Sequence, residues 1–245
     1  MNGRGGSIVF GSGVLFDFDD TLVETTIYFD RAKDSFARLM KDLDLADADL
    51  LNVVNQYDIA EVEACGGFHK ECFPRALGAA YREYARRRRR PVDAGVARAV
   101  EEMGREVFRH RPDPLPGARD LLRGLAGRFA LVLVTRGDPR LQTRRLEASG
   151  LAGWFAGVHV LMVKDEAAYR TIALEHALSP AASWMVGNSM RADINPALRA
   201  GFRCIYVCRP HTWDYDDEEP VGGHLEARAL NEVARLIDGS NGQGG

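Results

Sequence analysis

The apolar positions of this chain follow two regimes. Between residues 25 and 111 they recur at helical spacing: Phe29, Ala32, Phe36, Leu39, Met40 and Leu43, then Val96, Val100, Met103 and Val107. Spacing of three and four predicts amphipathic helices, and nothing in this stretch reads as a strand. Elsewhere, short apolar runs alternate with helical patterns. Strands are predicted at Val14 to Phe16, Phe129 to Val134, Val158 to Val163, Ser183 to Val186 and 203–208. Helices are predicted over 117–126, 139–149, 166–177, from Asp193 to Gly201, and over 227–238. Gly150 suits a helix stop and Pro196 a first turn. Pro112, Pro114 and Pro116 punctuate a linker.

Strands alternating with helices predict a parallel sheet covered on both faces. The expected architecture is a doubly wound α/β core with an all-helical domain inserted after its first strand. Residues 8–24 and 112–240 form the core and 25–111 the insertion. Residues 1–7 and 241–245 are expected to be flexible tails, the last Gly-rich from Gly239 onward.

The chemistry lies where the strands stop. Val14-Leu15-Phe16 runs into Asp17-Phe18-Asp19-Asp20-Thr21. Residues two apart share a side of a strand, so Asp17 and Asp19 project together while Phe16 and Phe18 face away. Paired carboxylates repel unless a cation or a shared proton relieves them. The strand at 129–134 ends in Thr135-Arg136, that at 158–163 in Lys164, and that at 183–186 in Gly187-Asn188 with Asp193 beyond. In an open parallel sheet the ligand crevice lies at the carboxyl ends of the strands. These groups are therefore expected to meet on one edge.

In DFDDTL, the Thr135 strand end, Lys164 and GNSMRADINPALRAG, the chain resembles the haloacid dehalogenase-like hydrolase superfamily, in its phosphatase branch. The likeness covers roughly residues 14–22 and 113–238. It implies a Rossmann-like core with a helical cap that opens and closes over the site. By position, Asp17 matches the nucleophile and Asp19 the general acid/base. Thr135 and Lys164 match the phosphate-binding and charge-balancing residues, with Arg136 a further phosphate contact. Mg²⁺ is implied as cofactor, with Asp17, Asp19, Asn188 and Asp193 as its ligands. Asn188 departs from the superfamily, which usually has Asp there. An amide oxygen still suits Mg²⁺ but removes one negative charge. The implied activity is hydrolysis of a small phosphorylated metabolite through an aspartyl-phosphate. Haloacid dehalogenase and phosphomutase are alternatives within the fold, and a non-catalytic metal- or phosphate-binding module is one outside it.

Composition narrows this little. With 245 residues, 46% hydrophobic and 27% charged, the chain fits an ordinary globular protein. A net charge of −3 argues against bulk attraction to nucleic acid or membranes, and no apolar run has the length of a membrane span. Cys65, Cys72, Cys204 and Cys208 contain no CxxC pair and are expected as free thiols in a cytoplasmic monomer or homodimer. The run Arg86 to Arg90 reads as a solvated helix end. His69, Lys70 and Arg75, around the Gly66-Gly67 break, are candidates for contacting the leaving group. Glu24 is a candidate for the entrance, and His211 or Trp213 for flanking the crevice or meeting another subunit.

Overall fold

The structure is a computed structural model that describes residues 11–210 and 213–241. The expected N-terminal lead-in, His211 and residues 242–245 lie outside the described residues.

Strand β1 (Gly13–Phe16) is followed by α1 (Thr26–Asp42), α2 (Leu50–Ala64), α3 (Cys72–Arg87) and α4 (Ala94–Glu106). The chain then alternates: α5 (Ala118–Leu125), β2 (Ala130–Arg136), α6 (Pro139–Ser149), β3 (Gly157–Leu161), α7 (Glu166–Glu175), β4 (Trp184–Gly187), α8 (Asn195–Arg199), β5 (Arg203–Val207), β6 (Leu225–Ala227) and α9 (Leu230–Asn241). Among the described residues the strands form one parallel sheet in the order β3-β2-β1-β4-β5-β6. This is the order of the Rossmann-like doubly wound fold.

Side-chain alternation explains why both faces are covered. Val14, Phe16, Leu131, Leu133, Trp184, Val186 and Ile205 enter one apolar cluster with α5, α6 and α9. Leu15, Val132, Val134, Met185 and Cys204 point the other way, into a cluster with α7 and α8. Strands apolar at every position can be buried only between two helical layers. Helices α1 to α4 gather a core of their own, centred on Phe36, Met40, Leu77, Tyr84 and Val100. The periodic residues read from the sequence supply much of it.

Three expectations change. The tail from Gly239 is not irregular from its start, since α9 continues to Asn241. The run 158–163 pairs only as far as Leu161, after which the chain bends towards Lys164. Strand β6, absent from the sequence reading, pairs with β5 at the sheet edge. Three residues are too short to show a period. By contrast α6 ends where expected, with Gly150 left-handed at φ 71°.

Arg86 to Arg90 stay at the surface, and several find carboxylates. Arg86 and Arg87 pair with Glu83, Arg87 also with Asp49, Arg88 with Asp47, and Arg90 with Asp44. Local acids thus offset this run, and exposed pairs of this kind contribute little stability. All four cysteines are free. Among the described residues no helix is long and apolar enough to cross a membrane.

Candidate active site

The ends of β3, β2, β1 and β4, adjacent in the sheet, deliver Lys164, Thr135, Asp17 and Asn188 to one edge. Asp17 follows β1 directly, and its N–H donates to the Val186 carbonyl at 2.9 Å, which carries the sheet one residue further. The residue is 6% exposed. Oδ1 accepts from Lys164 Nζ at 2.6 Å and Oδ2 from the Thr21 hydroxyl at 2.9 Å. The same ammonium donates to Asp193 Oδ1 at 2.6 Å, and Asp193 Oδ2 accepts from the Ser189 N–H at 3.0 Å. Lys164 is thus buried between two carboxylates. Desolvation pushes its pKa down, but Asp17 and Asp193 outweigh that and hold it above the ordinary value. Burial pushes Asp17 up to about 7, against the pull of Lys164 and with the push of Asp193.

The three consecutive acids diverge. Asp19 turns away from Asp17. It pairs with Arg145 at 2.6 Å and accepts from the Thr25 hydroxyl and from Gln142 Nε2, each at 2.7 Å. Burial raises its pKa, but the Arg145 guanidinium and these donors prevail and hold it below the usual carboxylate range. Asp20 has φ 57° and accepts from the N–H groups of Thr25 and Thr26, both at 2.9 Å. It anchors the start of α1 and takes no place in the cluster.

Gln142 and Arg145 had no place in the sequence reading, yet both lie in the cleft on the first turns of α6. Gln142 also donates to Thr135 Oγ1 at 2.8 Å, and the Thr135 hydroxyl hydrogen makes only a long 3.5 Å contact to the Arg136 carbonyl, which a ligand oxygen would replace. No motif or spacing sets Gln142 or Arg145 apart from the other polar positions of α6 in the sequence. Arg136 donates to Asp216 at 2.7 Å, and Asp216 also accepts from the Ser189 hydroxyl at 3.0 Å. The segment after β5 therefore closes one wall of the cleft.

Asn188 stands against three oxygens. With its amide oxygen inward it competes with Asp17 Oδ2 for the one Thr21 hydroxyl hydrogen, at 3.0 Å, and stands beside the Asp19 carbonyl. With its nitrogen inward it donates to the Asp19 carbonyl and Asp17 Oδ2, each at 3.2 Å, and to Thr21 Oγ1 at 3.0 Å. In the first orientation, hard oxygen donors converge as a small divalent cation requires, so the site fits Mg²⁺. The second satisfies the same oxygens with hydrogen bonds alone. Two of the expected ligands have other partners among the described residues. Asp19 faces this cluster with its carbonyl only, because Arg145 draws the carboxylate away. Asp193 is committed to Lys164 and Ser189.

Other candidates separate in the same way. Lys70 and Trp213 line the cleft, joined by Phe68. His69 instead accepts the Glu71 N–H at 3.3 Å, and Arg75 lies at the surface 3.7 Å from Glu61. Neither lines the cleft. Glu24 pairs with Arg209 at 3.1 Å rather than facing the entrance.

Gly187 shows how little room the site has. A Cβ there would lie 2.4 Å from Asp193 Oδ2 and 2.5 Å from its Cγ. Gly187→Ala is expected to drive Asp193 off Lys164 and Ser189, with a stability loss of about 1–3 kcal/mol. Thermal melting would record it; an unchanged melting temperature would contradict the packing described.

A family model described as haloacid dehalogenase-like hydrolase matches residues 12–201. The chain is 29% identical over 133 residues to a pyrimidine 5'-nucleotidase of Escherichia coli, a match covering 51% of this chain and 56% of that protein. It is 31% identical over 123 residues to a phosphoserine phosphatase of Thermus thermophilus, covering 47% and 49% respectively. The chain thus spans about half the length of these curated relatives. Among solved structures, a haloacid dehalogenase-like family hydrolase from Xanthomonas campestris superposes with a TM-score of 0.75 at 23% identity, over 96% of this chain and 99% of that one. A HAD-hydrolase from Bacillus subtilis, bound to magnesium, gives 0.66 at 21% identity over 94% and 99%. An L-2-haloacid dehalogenase from Xanthobacter autotrophicus gives 0.64 at 16% over 93% and 98%. These structural likenesses speak for the fold.

Proposed function

Because the chain belongs to the haloacid dehalogenase-like hydrolase family, we propose that it is a Mg²⁺-dependent phosphatase that hydrolyses a small phosphorylated metabolite through an aspartyl-phosphate on Asp17. The observation that carries this reading is Asp17 itself. It is a buried carboxylate with one oxygen on Lys164 and the other turned to Thr21 and Asn188, at the strand end beside Thr135. The nucleotidase and phosphatase names of the two relatives support a phosphate ester as substrate.

Phosphoryl transfer asks a protein for positioning and charge neutralisation more than for covalent work. Lys164 fixes the Asp17 carboxylate and balances its charge as a point cation. Asp17 Oδ1, the oxygen on Lys164, attacks phosphorus while Oδ2 stays turned to Asn188, and the Thr135 hydroxyl, held by Gln142, donates to a phosphoryl oxygen. Asp19 gives a proton to the departing oxygen and later takes one from the water that hydrolyses the acyl phosphate. Arg145 and Gln142 hold Asp19 ionised in this conformation, as its second task requires. Its first task requires it to part from Arg145. One of its donors is Thr25, the residue before α1, so movement of α1 against the core would change the donors around Asp19. Asp17 Oδ2, the Asp19 carbonyl and the Asn188 amide oxygen would hold Mg²⁺, which when bound supplies charge neutralisation of the nucleophile and the phosphoryl oxygens.

The Asn188 orientation with nitrogen inward favours a second reading, in which the site works or binds without metal, as a dehalogenase or binding module would. Asp19 argues against a dehalogenase, whose halide leaving group needs no proton. Hydrolysis of p-nitrophenyl phosphate with Mg²⁺ and with EDTA separates the two. Metal-dependent turnover is expected, and turnover unaffected by EDTA would overturn the Mg²⁺ assignment. Asn188→Asp is expected to tighten Mg²⁺ binding roughly tenfold by restoring a ligand charge, read by calorimetric titration; unchanged affinity would remove Asn188 from the metal shell.

The pH profile follows from Asp17. A protonated carboxyl does not attack phosphorus, so at limiting metal kcat/KM is expected to fall tenfold per pH unit below about 7. Saturating Mg²⁺ favours the ionised form and shifts that limb to lower pH. A rate independent of both pH and metal between pH 5 and 7 would contradict this assignment.

A further inference from the structure

We propose that Asp58 recognises the leaving group, accepting a hydrogen bond from an N–H or O–H on a planar, nucleobase-like ring that packs among Phe29, Phe68, Phe108 and Trp213. The inference rests on the phosphatase reading above and assigns the far side of the same cleft.

Asp58 lies on α2 and lines the cleft that Asp17 and Lys164 also line. It is 7% exposed, and its Oδ1 has no hydrogen-bond partner among the described residues. Burying a carboxylate without donors costs several kcal/mol in general. The two other most buried aspartates, Asp17 and Asp193, are both matched by Lys164. Desolvation pushes Asp58 up to about 7, against the weaker pull of Lys33. A carboxylate oxygen kept dry and unpaired beside a ligand cleft is an acceptor reserved for a donor that arrives with the ligand.

The surroundings define that donor's carrier. Phe29, Phe68 and Phe108 line the cleft from the helical insertion, and Trp213 from the segment after β5. Phe108 meets Phe29 and Phe68 edge to face, with ring centroids 5.8 and 6.4 Å apart. An aromatic lining with one polar group is the usual construction for a flat ring that must also be oriented. Trp213 Nε1 donates to Asn55 Oδ1 at 2.8 Å. Asn55 lies three residues before Asp58 on the same helix face, so α2 sets both the Trp213 ring and the Asp58 carboxylate. Lys33 and Lys70 line the same region. Asp30 lines it too, so the lining carries both signs of charge and recognition falls to the Asp58 acceptor and the aromatic faces.

The test compares uridine 5'-monophosphate, whose ring carries an N–H, with phenyl phosphate, whose ring carries no donor. Wild type, Asp58→Leu and Asp58→Asn are assayed, with melting curves to confirm folding. Asp58→Leu is expected to lower kcat/KM for the nucleotide about 10- to 100-fold, mainly through KM, and to leave phenyl phosphate within about twofold of wild type. Asp58→Asn keeps an acceptor oxygen and is expected to fall between. Equal losses on both esters, or no loss on either, would overturn the proposal. Uridine binding by calorimetry provides an arm independent of turnover. If wild type hydrolyses neither ester, the phosphatase reading fails on its own. The Asp58 assignment then stands if uridine binds wild type and Asp58→Leu weakens it at least tenfold, and falls if uridine does not bind or binds both alike.

Discussion

Asp17→Asn is expected to reduce phosphatase turnover by roughly 10⁴-fold or more, the scale seen when a covalent nucleophile is lost. The amide is nearly isosteric with the carboxylate, so the Lys164 and Thr21 contacts keep their shape while the attacking oxygen loses its charge. The fold should not suffer with the activity. Lys164 would still pair with Asp193 at 2.6 Å, and the variant removes one of two anions crowded around a single cation. A melting temperature equal to or above wild type is therefore expected, as is common where a site is built for chemistry at a cost in stability. A variant that lost activity and melted far below wild type would instead mark Asp17 as a structural acid.

Lys164→Met is expected to do the opposite to the fold. The methionine fills the volume of the stem but leaves Asp17 and Asp193, 6% and 1% exposed, facing each other without a cation. Removing one partner from a buried ion network costs about 3–5 kcal/mol, or about 10 °C in melting temperature for a chain of this size. Activity should be lost as well. The pH dependence has a definite sign. Burial raises the folded-state pKa of Asp17 above its unfolded value, and losing the pull of Lys164 raises it further. The native state then binds more protons between those two values, and stability recovers as the pH falls from 7 towards 5. Adding Asp193→Asn should recover part of the lost stability at neutral pH by removing one unpaired charge. Equal melting of wild type and Lys164→Met at pH 7 would contradict the account of the buried triad.

What the sequence disclosed about this site was local. Asp17, Thr135, Lys164 and Asn188 each stand where an apolar strand breaks into a polar residue, and parallel strands that break at one level must place such residues on one edge. The helical insertion was legible for a similar reason, since Phe36, Met40, Val100 and Val107 recur at a period only a helix satisfies. What stayed hidden depends on approach between distant segments. Arg145 reaches Asp19 across 126 residues of chain, and no spacing rule announces it. That one contact turns Asp19 from a metal-facing carboxylate into an ion-paired one. The distance of Asp193 from Asn188 in sequence does not reveal that Lys164 lies between Asp193 and Asp17. No sequence feature marks Asp58. Only the packing of α1, the Phe68 loop and Trp213 around it makes its unpaired oxygen conspicuous.

The most direct test of the central claim is to look for the phosphoryl group on the protein. Wild-type enzyme would be acid-quenched during turnover of p-nitrophenyl phosphate with Mg²⁺, digested, and mapped by mass spectrometry. A phosphorylated aspartate at Asp17, absent in Asp17→Asn, is the result this account predicts. Turnover with no phosphorylated peptide, or with the phosphoryl group on another residue, would contradict it.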